Sequence, residues 1–306
     1  IVGEDIAAKA TFSLDKITFK DALEIITKAN GLSYVIQNNV LWIGKKEDIL
    51  VAASGGKDST AVLYLLNKII KNRKINIEVL HIDQSIGNYS QENKKKIINF
   101  CKKYNLKLYL TSYREEFGYS LCYIQSILKS KGINLKSCNI CGILRRYIIN
   151  KTAKKLKSTK VVTGHNLDDE AQSIIMNIFK NNVALLSRLG PKTGLMEDKK
   201  FVPRIKPLYF CTEEETKLYA QLMNFDVVFK PCPCSLDSYR RGILNMLNEF
   251  EKKNKGAKHG IIKSFLEMKP LLETKYKGDI NACKKCGEAA AKDICSSCKL
   301  IEKLKG

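Results

Sequence analysis

Ile49-Leu50-Val51-Ala52-Ala53-Ser54-Gly55-Gly56-Lys57-Asp58-Ser59 decides the fold. Five apolar residues form a buried strand, a glycine turn follows, and Ser59 to Ile70 carries the apolar spacing of a helix. A strand that turns directly into a helix is a βα unit. Its turn lies at the carboxyl end of the strand, where open α/β sheets bind anions. Two glycines let the backbone wrap closely around a phosphate, while Ser54 and Ser59 add hydroxyl donors and the helix terminus adds partial positive charge. Lys57 can neutralise phosphate charge. The segment lacks the G-x-x-x-x-G-K-[ST] spacing and is not a Walker A loop.

Outward from this loop, strands and helices alternate. Strands are expected over 77–83, 107–111, 160–163 and 226–229, and helices over 91–104, 118–129, 141–156, 168–179, 212–223 and 239–253. This order predicts an α/β fold, a parallel sheet with helices on both faces and right-handed crossovers. Asp83 ends the second strand, within reach of a nucleotide at the sheet edge, the alternative being an ordinary solvated aspartate. Gly164-His165-Asn166-Leu167-Asp168-Asp169-Glu170-Ala171-Gln172 ends a later strand and opens a helix. Adjacent Asp168 and Asp169 suit Mg²⁺, which prefers carboxylates, water and phosphate oxygens. The alternative is that they cap the helix.

Composition narrows the function. The 306 residues carry 53 Lys+Arg against 31 Asp+Glu, a formal charge of +22, which fits a polyanionic partner such as nucleic acid. A lysine-rich proteome is the alternative source of that charge. Eleven cysteines, no secretory signal and no apolar run near the ~18 residues of a membrane span predict a reducing, cytoplasmic protein off the membrane.

Several of those cysteines have ligand spacing. Cys138-Asn139-Ile140-Cys141 is a C-x2-C pair, and Cys232-Pro233-Cys234 offers a third thiolate. Three thiolates suit a [4Fe–4S] cluster with one open iron, but a C-x2-C alone is equally a zinc half-site, a redox pair or a persulfide carrier. Cys283-Lys284-Lys285-Cys286 and Cys295-Ser296-Ser297-Cys298 form two further knuckles, and these predict a closed Zn²⁺ site. Cys101, Cys122 and Cys211 are expected to be buried thiols.

The glycine loop, the GHNLDDEAQ signature, the C-x2-C followed by Gly142 and Arg145-Arg146-Tyr147, the Val202–Leu208 segment and the Cys-Pro element appear in that order. Together, over residues 46–306, they resemble the TtuA/NcsA group of tRNA 2-thiouridine synthetases, in the PP-loop ATP pyrophosphatase superfamily. The resemblance implies a PP-loop catalytic domain with an iron–sulfur site over 46–238, a helical connector over 239–275 and a zinc module over 276–306 that helps grip tRNA. It implies ATP contacts from Ala53, Ser54, Gly55, Gly56, Lys57, Asp58, Ser59, Asp83, Arg145, Gly164 and Asp169. Lys57, Asp58 and Asp168 would be catalytic, and Cys138, Cys141 and Cys232 would hold the cluster.

The implied reaction adenylates the C2 oxygen of a tRNA uridine, releases pyrophosphate and installs sulfur to give 2-thiouridine. Sulfur would arrive as free sulfide or from a ubiquitin-like thiocarboxylate carrier, and the protein would be a homodimer. Alternatives are an ATP-dependent tRNA-modifying ligase with another nucleophile, or a non-catalytic tRNA-binding homologue.

Three features depart from the group. Asp83-Gln84-Ser85 stands where the group commonly has Asp-Glu-Gly, and Cys234 stands where an aromatic residue is common. Residues 1–45 also replace the usual N-terminal zinc module. They read as a strand over 10–17, a helix from Thr18 to Asn30-Gly31, and a hairpin of 33–37 and 40–43 around Asn38-Asn39. This βαββ unit resembles the short N-terminal domain of secretins and TonB-dependent receptors, and is expected to pack or dock.

Overall fold

The computed structural model describes residues 32–37, 40–45, 47–70, 75–193, 202–235, 238–276, 281–287, 289–290 and 293–305. The strand expected over 10–17 and the helix from Thr18 lie outside the described residues. The hairpin lies within them: β1 (Leu32–Gln37) pairs antiparallel with β2 (Val40–Lys45), with Gln37 opposite Val40.

The main sheet begins with β3 (Glu47–Ala52), which leads through the glycine loop into α1 (Lys57–Ile70). Then come β4 (Ile75–Asp83), α2 (Gly87–Lys103), β5 (Lys107–Ser112), α3 (Tyr113–Phe117), α4 (Leu121–Ser130), α5 (Ser137–Lys155), β6 (Lys160–Thr163) and α6 (Leu167–Phe179). Next are α7 (Val183–Leu186), β7 (Lys192–Thr193), β8 (Arg204–Ile205) and α8 (Glu213–Leu222). The strand order is β5-β4-β3-β6-β8-β7, parallel throughout except that β7 runs antiparallel to β8. The expected parallel α/β sheet is therefore present. The strand expected over 226–229 is reduced to a single bridge, Gly56 to Val228.

Alternating side chains of the central strands feed two layers. Leu50, Leu80 and Ile82 pack with Leu121, Ile124, Leu128, Ile140, Leu144 and Ile148 of α4 and α5. Ile49, Val51, Val79 and Val162 pack on the opposite face with Val62 and Leu63 of α1 and Ile97 of α2. Both faces are covered, so these strands read as continuous apolar runs. The chain moves from β3 outward to β5, then returns to place β6 on the other side of β3. The carboxyl ends of β3 and β6 thus flank a topological switch point, the usual ligand position in such sheets.

Two helices after the sheet, α9 (Tyr239–Lys253) and α10 (Ala257–Lys275), pack on α6. Ile243, Leu247, Ile262 and Phe265 meet Leu167, Ala171 and Ile174 in one buried cluster. The tail follows with β9 (Asn281–Ala282), β10 (Ala289–Ala290) and α11 (Ser296–Lys305). Leu300 and Leu304 of α11 are buried in the core of α4 and α5, and Ser297 Oγ donates to the Ile143 carbonyl at 3.3 Å. The tail is thereby seated on the helix that carries Cys138 and Cys141.

Candidate active site

Glycine has a steric reason at two positions around the loop. Gly55 has φ +87°, and a Cβ there would lie 2.6 Å from the Asn93 carbonyl oxygen. A Cβ on Gly164 would meet the Ser59 amide nitrogen at 2.8 Å. The residue after β6 therefore touches the first turn of α1 backbone to backbone. Inside the loop, Ser59 Oγ donates to the Gly56 carbonyl at 3.1 Å and accepts from the Ser54 amide at 3.2 Å, while the Gly56 amide donates to Ser54 Oγ at 3.3 Å. His81 braces this turn. The Ala53 carbonyl, which can only accept, lies 3.0 Å from Nδ1, so Nδ1 carries the proton; burial lowers the ring's pKa.

A cavity of about 610 Å³ opens on the loop. Ala53, Ser54, Asp58 and Ser59 line it from β3 and α1, and Gly164, His165 and Asp169 from the end of β6. Cys138, Cys141 and Arg145 line it from α5, and Cys232 and Cys234 from the segment after α8. Residues expected from two separate motifs, phosphate loop and cysteines, thus face one space. Lys136, Arg146, Lys180 and Arg240 add positive charge to the lining, and Tyr239 adds an aromatic ring with Lys180 Nζ 4.3 Å from its centre.

Five expected site residues do not line the cavity, Gly55 and Gly56 of the turn itself and Lys57, Asp83 and Asp168. Lys57 does not line the cavity: Nζ donates to Asp58 Oδ2 at 2.9 Å and Glu213 Oε1 at 3.1 Å. Burial opposes its charge, yet the two carboxylates prevail and raise its pKa. Asp168 is 3 % exposed and faces away, accepting from the Glu213 amide at 2.7 Å and from Lys258 Nζ. Asp83 closes a turn on its own backbone, accepting from the Ser85 amide at 2.6 Å. Ser85 there has φ +56°, so the left-handed position is kept without glycine, and Gln84 supplies the cavity wall.

Asp58 and Asp169 are the two carboxylates on the cavity. Asp58 Oδ1 accepts from Thr216 Oγ1 at 2.7 Å and Asn166 Nδ2 at 3.2 Å. Asp169 completes a capping box with Asn166 and meets Arg240 Nη1 at 3.5 Å. Burial, helped by the charge of Asp58, raises the Asp169 pKa against the pull of Arg240. Loss of bulk water, then Lys206, Arg145, Arg240 and Arg204, push His165 down to about 3, so it is neutral near pH 7. Glu213, Thr216, Lys258 and Arg240 carried no motif signal; they lie 45 to 158 residues from the partners they hold.

The cysteines form two distinct donor sets. In the tail, the ligand atoms of Cys283, Cys286, Cys295 and Cys298 lie within 4.8 Å of one another, and Cys286 Sγ and Cys295 Sγ are 3.7 Å apart. Four sulfurs at ~2.3 Å around one tetrahedral ion stand about 3.8 Å apart, so this set fits a single metal ion. Among the described residues no other group of three or more such ligands converges as tightly. Cys138, Cys141 and Cys232 share the cavity, and three thiolates suit a cluster that takes its ligands on separate irons. Tyr113 Oη donates to the Cys141 carbonyl at 2.9 Å and lies 3.4 Å from its Sγ, fixing that thiol. Cys101 is buried as expected. Cys122 is not: it sits on the outward first turn of α4 and is exposed, and Cys211 is half-buried.

A parallel sheet with a short glycine loop at its switch point, facing two cavity carboxylates and basic side chains, defines a nucleotide-binding α/β protein of the PP-loop type. The family model described as a PP-loop domain matches residues 28–244. A probable sulfurtransferase of Methanocaldococcus jannaschii is 33% identical over 294 residues, covering 95% of this chain and 83% of that protein. The tRNA-5-methyluridine(54) 2-sulfurtransferase of Pyrococcus horikoshii is 35% identical over 256 residues, covering 83% and 78%. The solved structure of the U34-tRNA thiolase NcsA from Methanococcus maripaludis, with its [4Fe–4S] cluster, superposes with TM-score 0.71 at 29% identity, covering 88% of this chain and 83% of that one. The chain belongs to the PP-loop family and, within it, to the TtuA/NcsA-type tRNA 2-thiolation enzymes. No helix among the described residues is long and apolar enough to cross a membrane.

Proposed function

We propose that this cavity adenylates the C2 oxygen of a tRNA uridine with ATP and replaces that oxygen with sulfur. One observation carries the reading: the phosphate loop and Cys138, Cys141 and Cys232 line the same space. The loop amides, Ser54 and Ser59 hold the phosphates, with the helix terminus stabilising their charge. In this reading Asp58 and Asp169, both on the cavity, hold Mg²⁺, and Arg145 balances charge between phosphate and thiolates. The uridine O2 attacks the α-phosphorus and pyrophosphate leaves. Hydrosulfide then attacks C2 and AMP departs. A cluster on the three cysteines would supply an open iron to bind that sulfur. The base must leave its stack to enter, and Lys180, Tyr239, Arg146 and Lys136 form a basic, aromatic entrance suited to it.

In the same reading the tail holds Zn²⁺ and contacts tRNA, residues 46–238 form the catalytic unit with 239–275 packed on it, and the protein works as a homodimer. Asp168 and Lys57 act from behind the cavity, through Glu213 and Asp58. The test is incubation of oxygen-free protein with tRNA, ATP, Mg²⁺ and sulfide, followed by nucleoside mapping. The expected product is 2-thiouridine with one pyrophosphate per sulfur. Iron-free protein that nonetheless thiolates at full rate would overturn the role given to the three cysteines, and absence of both thiolation and pyrophosphate release would overturn the reaction.

A further inference from the structure

The proposed reaction leaves Arg240 without a role, yet this residue stands where the two halves of that reaction meet. It is the second residue of α9, lines the cavity and keeps 43 % of its side chain exposed. On one side it reaches α6: Nη1 donates to the Asp169 carbonyl at 3.3 Å and lies 3.5 Å from Asp169 Oδ1, and Nη2 donates to Ser173 Oγ at 3.0 Å. On the other side its helix is tied to the cysteine turn. Ser235 Oγ donates to the Cys232 carbonyl at 2.7 Å, Ser238 Oγ donates to the Ser235 carbonyl at 2.8 Å, and the Arg241 amide donates to Ser238 Oγ at 3.3 Å. Arg240 therefore joins the wall that carries Asp169 to the wall that carries Cys232.

Its hold on Asp169 is loose. A guanidinium–carboxylate pair closes at about 2.8 Å and is often two-pronged, whereas Arg240 makes one contact to Oδ1, and that one is long. Nε has no acceptor among the described residues. The planar fork thus keeps donors for an anion in the cavity, and phosphate is the anion that this geometry suits. The reaction brings one there. The α-phosphorus must reach the uridine O2 while C2 of the same base stays open to sulfur from the side of Cys138, Cys141 and Cys232. The α-phosphate then lies between the carboxylate wall and the cysteine wall. A cation held by Asp169 repels the guanidinium from that carboxylate, and the phosphate is the anion left for it.

We propose that Arg240 is a catalytic residue that holds the α-phosphate of ATP from adenylation until AMP departs. The proposal rests on the thiolation reading of the cavity and adds the group that stabilises its phosphorus. As O2 bonds to the α-phosphorus, the bond to the bridging oxygen breaks, pyrophosphate leaves with the electron pair, and N3 of the base gives its proton to solvent. The guanidinium takes up the charge that gathers on the phosphoryl oxygens. When hydrosulfide displaces AMP from C2, the proton it brings restores N3, and the same guanidinium stabilises the departing AMP phosphate. One residue serves both steps.

The experiment compares wild type, Arg240→Gln and Arg240→Lys as full-length, oxygen-free protein. Calorimetry with AMP and with adenosine isolates the phosphate contact. Arg240→Gln should bind AMP about 10- to 100-fold more weakly and adenosine as wild type does, with Arg240→Lys, which keeps the charge but not the fork, in between. With tRNA and ATP, kcat for pyrophosphate release in Arg240→Gln should fall about 10²- to 10³-fold, more than KM for ATP rises. The proposal is wrong if AMP binds Arg240→Gln as it binds wild type, or if AMP and adenosine weaken together, which would make Arg240 a structural tie between α6 and α9. Absence of thiolation by wild type, with the contrast between AMP and adenosine intact, would instead count against the thiolation reading and leave Arg240 the α-phosphate ligand of another adenylation.

Discussion

Replacing Lys258 with methionine isolates the part that Asp168 plays. Lys258 is 9 % exposed and Asp168 3 %, and they form a buried ion pair. Lys258 Nζ also donates to Asn248 Oδ1 at 2.6 Å, and the second oxygen of Asp168 is taken by the Glu213 amide. Removing the cation leaves a buried carboxylate with one neutral donor, which costs about 3–5 kcal/mol. Over 306 residues the unfolding entropy is about 640 cal/mol/K, at ~2.1 cal/mol/K per residue, so that cost lowers Tm by roughly 5–8 °C. Lys258→Met paired with Asp168→Asn removes both charges and should cost less than the sum of the two single changes, by a coupling of about 1–3 kcal/mol. Thermal unfolding of the four proteins measures the cycle, and ATP–pyrophosphate exchange follows the chemistry. If Lys258→Met unfolds like wild type while Asp168→Asn abolishes exchange at unchanged stability, Asp168 is a ligand of Mg²⁺ or phosphate, as its motif reads, and the structural role argued here is wrong.

Three further outcomes follow from the same geometry. Gly164→Ala drives a Cβ to 2.8 Å from the Ser59 amide, so the loop must shift; nucleotide affinity by calorimetry should fall up to ~10²-fold while circular dichroism is kept, and normal affinity would refute the close approach. Leu300→Ala with Leu304→Ala should cost about 2–5 kcal/mol per site at the seat of the tail, and hydrogen exchange should show α5 losing protection; unchanged exchange would mean the tail does not brace the cysteine helix. His81 and His165 are both held below the ordinary value of 6.5, His165 at about 3. The folded state keeps them neutral while the unfolded chain takes protons, so their stabilisation is full above pH 6.5 and is lost as pH falls from 6.5 toward those folded values. Denaturant midpoints should fall over that window, and His81→Gln should flatten the fall; a midpoint that rises on acidification would contradict the assignment.

What could be read in advance divides along a physical line. The βα unit at Ile49–Ser59, the parallel sheet and the cysteine knuckles were legible because each is local: apolar period, glycine at a turn, thiols a fixed spacing apart. The two adjacent acids of the second signature were legible only as a pair. In a helix, neighbouring positions are about 100° apart, so one of them must turn from whatever the other faces. The structure directs Asp169 to the cavity and Asp168 to Lys258, and the decision is made 90 residues away by a lysine in a lysine-rich chain. The packing of residues 239–275 was hidden for the same reason, since their apolar positions have meaning only against α6, where Ile243, Leu247, Ile262 and Phe265 complete a core. Cys122 shows the limit most clearly. Alone it reads as one more buried thiol, and only the packing of α4 leaves it exposed on that helix's first turn while its neighbour Leu121 is buried. A motif names the reacting groups; the long-range contacts decide which of them face the reaction and which hold the others still.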